Sequence, residues 1–168
     1  MNNIKGITNN KVLKNQWTDK DIYFMQRALE CAKKAYEKDE VPVGAVIVKD
    51  NKIISKGYNR SITLKDATAH AEIIAIRKAC TKLNNYRLND CSIYVTIEPC
   101  SMCTGALIHA RIKNIYFGAK DIKTGSCGSV FNIANSNKLN HNINIFCGLL
   151  EQDCAKIIRQ FFKNKRKQ

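Results

Sequence analysis

The chain has 168 residues, of which 45% are hydrophobic and 25% are charged, with only two prolines and eight glycines. This composition fits one globular domain of ordinary size and excludes a collagen, a low-complexity segment and an intrinsically disordered chain. Lysine and arginine total 28 against 14 aspartate and glutamate residues, so the formal net charge is +14. A charge this high exceeds what solubility requires and indicates a polyanionic partner, although a merely lysine-rich composition is the alternative.

The sequence predicts neither a membrane span nor an export signal. Its apolar stretches, such as residues 43–48, are far shorter than the roughly 18 residues of a transmembrane helix. Residues 1–16 contain three lysines but no apolar run of signal-peptide length. We therefore expect a cytoplasmic protein, with an organelle matrix as the alternative, in which the eight cysteines are reduced.

The N-terminal part of the chain predicts a helix followed by a β-hairpin. Thr18 and Asp21 have the spacing of a capping box, and apolar residues then recur at helical spacing until about Asp39. Two segments rich in β-branched side chains flank a short polar turn, which predicts antiparallel strands at residues 43–48 and 53–58.

The rest of the chain alternates between helices and strands. Apolar periodicity predicts helices at residues 69–83, 101–110 and 151–162. Strands are predicted at residues 92–97, 114–118 and 143–147. Because right-handed crossovers make the later strands parallel, this order predicts a three-layer α/β/α sandwich with a mixed five-stranded sheet.

We expect one domain, because no internal repeat and no Pro-, Gly- or Ser-rich linker divides the sequence. The domain is predicted to span residues 18–162. Residues 1–17 then form a basic N-terminal extension, to which no role is assigned, and residues 163–168 form a basic C-terminal tail.

Two short motifs contain the residue types of a zinc enzyme. His70 and Glu72 form an H-x-E motif, and Cys100 and Cys103 form a C-x-x-C motif at a strand-to-helix junction. One imidazole and two thiolates are good zinc ligands, and three protein ligands leave the fourth tetrahedral position for water, as in catalytic sites. Glu72 could stand beside this water without binding the metal and exchange protons with it. The alternatives are a structural zinc site and, for Glu72, a solvated helix residue.

With these motifs the sequence resembles the cytidine deaminase superfamily and, within it, the bacterial-type tRNA-specific adenosine deaminases. The resemblance covers about residues 26–162. Its motifs lie at residues 40–45, 57–60, 68–72, 85–88, 94–103, 105–112, 117–121 and 123–125. Several of them lie outside the zinc motifs, so they favour this subfamily.

The resemblance implies a cytidine deaminase-like fold and hydrolytic deamination of adenosine to inosine at the wobble position of a tRNA anticodon. It implies a homodimer with one zinc ion per subunit. His70, Cys100 and Cys103 are the implied zinc ligands, and Glu72 is the implied proton shuttle between the attacking water and adenine.

The resemblance also implies residues that bind the tRNA anticodon arm. Asn59 matches the asparagine that hydrogen-bonds the extruded base, although a simple turn residue is the alternative. Asp121 and Lys123 lie in a loop that meets the anticodon, where Asp121 could accept a hydrogen bond from a ribose 2′-OH. Phe162 is implied in substrate binding. Contacts with the RNA backbone are implied for Lys163, Lys165 and Arg166, for which a solvated charge run is the alternative.

Two other functions stay open. A zinc-dependent deaminase of a free base or nucleotide, such as guanine or cytosine, would share every catalytic residue, although the basic excess favours RNA. A catalytically silent RNA-binding partner could keep zinc for stability, but it would be free to lose Glu72, which is present.

Among the remaining residues, His109 is predicted to be packed or at an interface, His141 to be exposed, and Phe161 to belong to the core. The six cysteines without a close cysteine neighbour are predicted to be small buried apolar residues. These are Cys31, Cys80, Cys91, Cys127, Cys147 and Cys154.

Overall fold

The computed structural model describes residues 17–167. Within this range the helices are α1 (Asp19–Glu37), α2 (Ser61–Leu64), α3 (Ala71–Leu83), α4 (Ser101–His109) and α5 (Glu151–Lys165). The strands are β1 (Gly44–Lys49), β2 (Lys52–Tyr58), β3 (Ser92–Ile97), β4 (Asn114–Ala119) and β5 (Asn144–Cys147). None of the described helices has the length and apolar character that crossing a bilayer requires.

The five strands form one mixed sheet in the order β2-β1-β3-β4-β5. Strand β1 pairs antiparallel with both β2 and β3, whereas β3, β4 and β5 run parallel. The predicted sheet is therefore confirmed. Because β3 and β4 are parallel and β1 is antiparallel to them, the ends of β3 and β4 and the start of β1 share one edge of the sheet. The segment with Cys100 and Cys103 follows β3 at this edge.

Successive side chains along a strand point to opposite faces of the sheet, and an apolar core lies on each face. Ala45 and Ile47 of β1 pack with residues of α3 and α4 in one core. Val46 and Val48 pack with residues of α1 and α5 in the other. This alternation confirms the predicted three-layer arrangement, with α3 and α4 on one side of the sheet and α1 and α5 on the other.

A glycine allows the sheet to approach the helix that carries Glu72. A Cβ at Gly57 of β2 would lie 2.2 Å from the carbonyl oxygen of Ala71 and 2.8 Å from the backbone nitrogen of Ala75. No side chain fits there, so Gly57 sets the close contact between β2 and the first turns of α3.

The N-terminus of α1 is joined to the sheet by hydrogen bonds and aromatic contacts. Thr18 and Asp21 form the predicted capping box, and the hydroxyl of Tyr94 donates to Oδ1 of Asp21 at 2.8 Å. Tyr116 stacks on Tyr94 at 4.4 Å between ring centroids. Trp17, assigned from sequence to the N-terminal extension, packs edge-on against Tyr116.

Residues 1–16 of that extension lie outside the described range, and the division into extension, domain and tail stays a prediction.

Two helices differ from their predicted form. The segment at Ser61–Leu64, expected as loop, is the short helix α2, whose first backbone N–H groups bond to Glu40. Helix α5 continues to Lys165 rather than ending at Phe162. The amide of Asn164 donates to the hydroxyl of Tyr36 at 2.8 Å, and this contact attaches the last turn of α5 to α1.

Candidate active site

Two helix N-termini bring the H-x-E and C-x-x-C motifs together. His70 is the N-cap of α3 and Cys100 is the N-cap of α4, and neither side chain caps its own helix. Cys103 lies in the first turn of α4. The Nδ1 atom of His70 is 3.7 Å from Sγ of Cys100 and 3.6 Å from Sγ of Cys103.

These distances fit a zinc ion. Tetrahedral zinc, with bonds of about 2.05 Å to nitrogen and about 2.3 Å to sulfur, separates the two ligand atoms by roughly 3.6 Å. The ligand atoms of His70, Cys100 and Cys103 all lie within 4.8 Å of one another. One imidazole and two thiols are the donor set that zinc prefers, and three protein ligands leave one coordination position for water.

The surroundings of Cys100 favour its thiolate form. Hydrogen bonds with Cys103 and His70 lower the pKa of the Cys100 thiol to about 4, although its partial burial opposes this. The positive end of the α4 helix dipole, at which Cys100 lies, also lowers the pKa of this thiol. A thiolate at neutral pH is the form that binds zinc.

Glu72 lies in the first turn of α3, and its side chain is only 3% exposed. Its carboxyl group lies close enough to Cys103, Cys100 and His70 for these side chains to affect its pKa. Burial raises the pKa of Glu72 to about 7. A carboxyl group that can gain and lose a proton near neutral pH suits general acid–base catalysis.

Asn59, which follows β2, is buried and contacts the same helix. Its Oδ1 atom accepts a hydrogen bond from the backbone N–H of Ala71 at 2.8 Å. This bond fixes the orientation of the amide, since only the oxygen can accept. The NH2 group is the part of Asn59 that could donate to a base.

Two buried carboxylates, Glu40 and Glu98, each 1% exposed, were not predicted from the sequence as site residues. Glu40 accepts hydrogen bonds from the backbone N–H groups of Ile62 and Thr63 at 3.1 and 2.7 Å. Glu98 accepts hydrogen bonds from residues of the 121–129 loop. For Glu98 the available signal was an acidic residue directly after the mostly apolar segment 93–97 and directly before a proline. Glu40 ends a charged run and carries no such signal.

Asp121 stabilises its own loop. Its Oδ1 accepts from the backbone N–H groups of Lys123 and Thr124 at 2.9 and 3.1 Å, and its Oδ2 accepts from the Thr124 hydroxyl at 2.6 Å. Despite partial burial, these bonds lower the pKa of Asp121. A ribose 2′-OH could donate only to a lone pair of the Asp121 carboxylate that these three bonds leave free. The geometry therefore favours stabilising the turn at residues 121–124 as the main role of Asp121. Lys123 is exposed.

The residues predicted on the C-terminal helix lie on the α1 side of the sheet, away from α3 and α4. Phe162 is 45% exposed, and Lys163 and Arg166 are also exposed. Lys165 forms an ion pair with Asp39. This pair competes with the predicted contact between Lys165 and RNA.

Two histidines differ from expectation. His109 is exposed at the end of α4, so the packed alternative is wrong and the interface alternative stays a prediction. His141 is half-buried and lies 2.6 Å from the carbonyl oxygen of Ile112 through its Nε2 atom, so its predicted exposure is wrong. Phe161 is buried as predicted.

All eight cysteines are free thiols. Of the six predicted to be buried, Cys80 and Cys147 are only half-buried. The other four are buried as predicted: Cys31, Cys91, Cys127 and Cys154.

Comparisons with known proteins agree with this geometry. Residues 18–119 match the cytidine and deoxycytidylate deaminase zinc-binding region. A protein of Haemophilus influenzae named tRNA-specific adenosine deaminase is 46% identical over 149 residues, which are 88% of this chain and 86% of that protein. A protein of Aquifex aeolicus with the same name is 49% identical over 144 residues, 86% of this chain and 95% of that protein.

Among solved structures, a chain from a study of A-to-I editing by tRNA:A34 deaminases at the wobble position superimposes with a TM-score of 0.78. It is 44% identical, and the match covers 80% of this chain and 98% of that chain. The zinc-binding region and the extent of identity establish the family. The chain therefore belongs to the zinc-dependent cytidine deaminase superfamily and, within it, to the tRNA-specific adenosine deaminases.

Proposed function

We propose that this protein hydrolyses adenosine to inosine at the wobble position of a tRNA anticodon. The observation that carries the proposal is the buried carboxyl group of Glu72 beside the converging ligand atoms of His70, Cys100 and Cys103. A catalytically silent zinc protein would not need an acid buried at this place.

The residues divide the chemistry between them. His70, Cys100 and Cys103 would hold zinc, which when bound lowers the pKa of water toward neutrality and so makes hydroxide available near pH 7. Glu72 accepts the proton that the attacking water loses and delivers it to N1 of adenine. It then takes the proton that remains on the oxygen added to C6 and passes it to the amino group, which leaves as ammonia while the C6 carbonyl of inosine forms.

Asn59 supplies a donor to the base. Because its Oδ1 is held by the N–H of Ala71, its NH2 group can donate to a ring nitrogen of the extruded adenine without losing the helix contact. This arrangement supports the base-binding role implied by the family resemblance.

The RNA around the base is bound by positive charge and one aromatic side chain. The net charge of +14 favours a polyanion. Lys123, Lys163 and Arg166 are exposed and can contact phosphates, while the exposed ring of Phe162 can stack on a base. Lys165 contributes less, since Asp39 already pairs with it.

The active form in this proposal is a homodimer with one zinc ion per subunit, acting in the cytoplasm. In the single chain, Ile62, Tyr86 and Ile122 are 68%, 69% and 82% exposed. A second copy could cover some of these exposed apolar side chains. Sedimentation of the zinc-loaded protein is expected to give twice the mass of one chain.

The test compares three substrates with the zinc-loaded protein: an RNA hairpin of the anticodon arm with adenosine first in the anticodon, the same hairpin in DNA, and free adenosine. The base in a loop is already unpaired, and its neighbours supply binding energy that a free nucleoside lacks. We expect kcat/KM, measured by inosine formation, to be highest for the RNA hairpin.

Guanine and cytosine serve as parallel substrates for the free-base alternative. If any free base or nucleoside reacts as fast as the RNA hairpin, the tRNA assignment is wrong. If zinc-loaded protein binds the hairpin but forms no inosine, the silent RNA-binding function replaces it.

A further inference from the structure

We propose that Glu98 is a positioning residue that fixes the 121–129 loop against the turn carrying Cys100, and so sets how tightly this loop binds RNA. The inference rests on the proposed function, because that function assigns Lys123 of this loop to the tRNA. Glu98 itself takes no part in the deamination.

The Glu98 carboxylate gathers donors from both ends of the loop. Its Oε1 accepts from the backbone N–H groups of Cys127 and Ser129, both at 3.0 Å. Its Oε2 accepts from the backbone N–H of Asp121 at 3.2 Å and from the hydroxyl of Ser129. A buried carboxylate is costly unless hydrogen bonds replace its hydration. The loop therefore supplies the solvation that Glu98 lacks, and its conformation is fixed by doing so.

Backbone contacts connect the same loop to the zinc-ligand turn. The backbone N–H of Glu98 donates to the carbonyl of Ala119 at 2.8 Å, and that of Ser126 donates to the carbonyl of Pro99 at 2.9 Å. Cys100 and Gly125 form an isolated antiparallel bridge. Glu98 thus lies two residues before a zinc ligand and holds the loop that pairs with that ligand's backbone.

The packing at Gly125 shows how closely the loop surrounds the carboxylate. A Cβ on Gly125 would lie 2.5 Å from Cδ of Glu98 and 2.5 Å from the carbonyl oxygen of Asp121. A side chain at this position would push the loop away from Glu98. The glycine is required by this contact rather than by a positive φ.

A chain of hydrogen bonds extends from Glu98 to Lys123, the residue of this loop that the proposed function assigns to the tRNA. Glu98 holds the N–H of Asp121, and the Asp121 carboxylate holds the N–H groups of Lys123 and Thr124. Glu98 therefore determines where the backbone of Lys123 lies relative to Cys100.

The test is Glu98→Gln in the zinc-loaded protein. The amide keeps the shape of the carboxylate but turns NH2 donors toward backbone N–H donors. We expect the hydrogen-exchange protection of the Asp121, Cys127 and Ser129 amides to fall about tenfold or more. We expect KM for the anticodon hairpin to rise about tenfold, with kcat within threefold of wild type and zinc content unchanged.

The matched control is Glu40→Gln, which alters a carboxylate with equal burial that holds α2 instead. It should lower protection at Ile62 and Thr63 and leave the 121–129 loop as protected as in wild type. A second variant, Ser129→Ala, tests the proposal if Glu98→Gln does not fold. It removes only the hydroxyl that donates to Glu98, so we expect it to lower the hydrogen-exchange protection of the loop by a smaller factor.

Unchanged loop protection in the folded variants, a fall of kcat at constant KM, or loss of zinc overturns the proposal. A wild-type protein that does not deaminate the hairpin overturns the proposed function instead. Hydrogen exchange would still report in that case whether Glu98 holds the loop.

Discussion

At the scale of single residues, the start of α3 combines a helix end with a chemical site. Ala71 offers its N–H to Asn59, while His70 and Glu72 on either side of it extend toward Cys100 and Cys103. One N–H group of the first turn, which has no partner within the helix, is thereby satisfied by a residue that the proposed function also assigns to the base. The proposed proton carrier and the proposed metal ligand then lie two residues apart at the start of this helix.

Replacing Glu72 with Gln should abolish most activity while the zinc content stays normal. The three ligands are untouched and only the proton carrier is lost, and general acid–base catalysis contributes roughly 100- to 10,000-fold. The measurement is kcat on the RNA hairpin together with zinc analysis. Cys103→Ala is the comparison and should lose the metal as well. Near-normal activity of the Gln variant would show that Glu72 is not the shuttle.

Replacing Asn59 with Asp separates its two roles. Aspartate keeps an oxygen for the Ala71 N–H but has no NH2 donor, so we expect near-normal stability with a clear loss of kcat/KM. Asn59→Ala should lose both the acceptor for the Ala71 N–H and the NH2 donor, and it should lower the free energy of unfolding by about 1 kcal/mol. Denaturant unfolding and hairpin kinetics check the two variants. Full activity in Asn59→Asp would leave Asn59 only the role of accepting the Ala71 N–H.

At the scale of elements, α5 extends the domain with a basic helical end. Its last turn is attached to the end of α1 through the Asn164–Tyr36 hydrogen bond and the Lys165–Asp39 ion pair. These contacts hold Lys163 and Arg166 on a helix instead of a free tail. Charges in fixed positions lose less conformational freedom when a phosphate binds.

Replacing both Lys163 and Arg166 with Ala should weaken hairpin binding and flatten its salt dependence. Each lost phosphate contact lowers the slope of log affinity against log salt by about 0.7 to 0.9. Lys165→Ala should change the slope less, because Asp39 already neutralises that charge. The slope is measured by binding titrations at several salt concentrations. An unchanged slope in the double variant would assign both residues to solvent.

At the scale of the whole molecule, the two cores exclude water from many thiols. Cys154 of α5 packs against Gly118 of β4, where a Cβ would lie 2.3 Å from its Sγ. Burial raises the pKa of the Cys154 thiol to about 12. The unfolded chain ionises this thiol near its ordinary pKa of about 8.5, whereas the folded chain keeps it neutral.

The free energy of unfolding should therefore fall as pH rises from about 9 to 12. In this window the unfolded state binds fewer protons than the folded state, which makes the slope of stability against pH negative, up to about 1.4 kcal/mol per pH unit for one thiol. Below this window the contribution is fully present. Cys154→Ala should make the fall shallower, as measured by denaturant unfolding at constant zinc. Equal slopes of unfolding free energy against pH in variant and wild type would show that Cys154 does not contribute to this pH dependence.

The sequence by itself determined the elements and the chemistry that depends on local spacing. Apolar periodicity predicted α1, the hairpin and the later strands because each pattern is set by neighbouring residues. The spacing of H-x-E and C-x-x-C likewise predicted His70, Glu72, Cys100 and Cys103 as one group. The family resemblance added the substrate, which spacing alone could not distinguish from a free base.

Only the tertiary structure decided what depends on contacts between distant parts of the chain. Glu98 meets the N–H of Ser129 across 31 positions, and Lys165 meets Asp39 across 126. No local pattern identifies such partners, since the residues around an acid or a lysine do not say which distant donor or charge it will meet. The roles of Glu98 and Lys165 therefore follow from which donors and charges folding brings next to them.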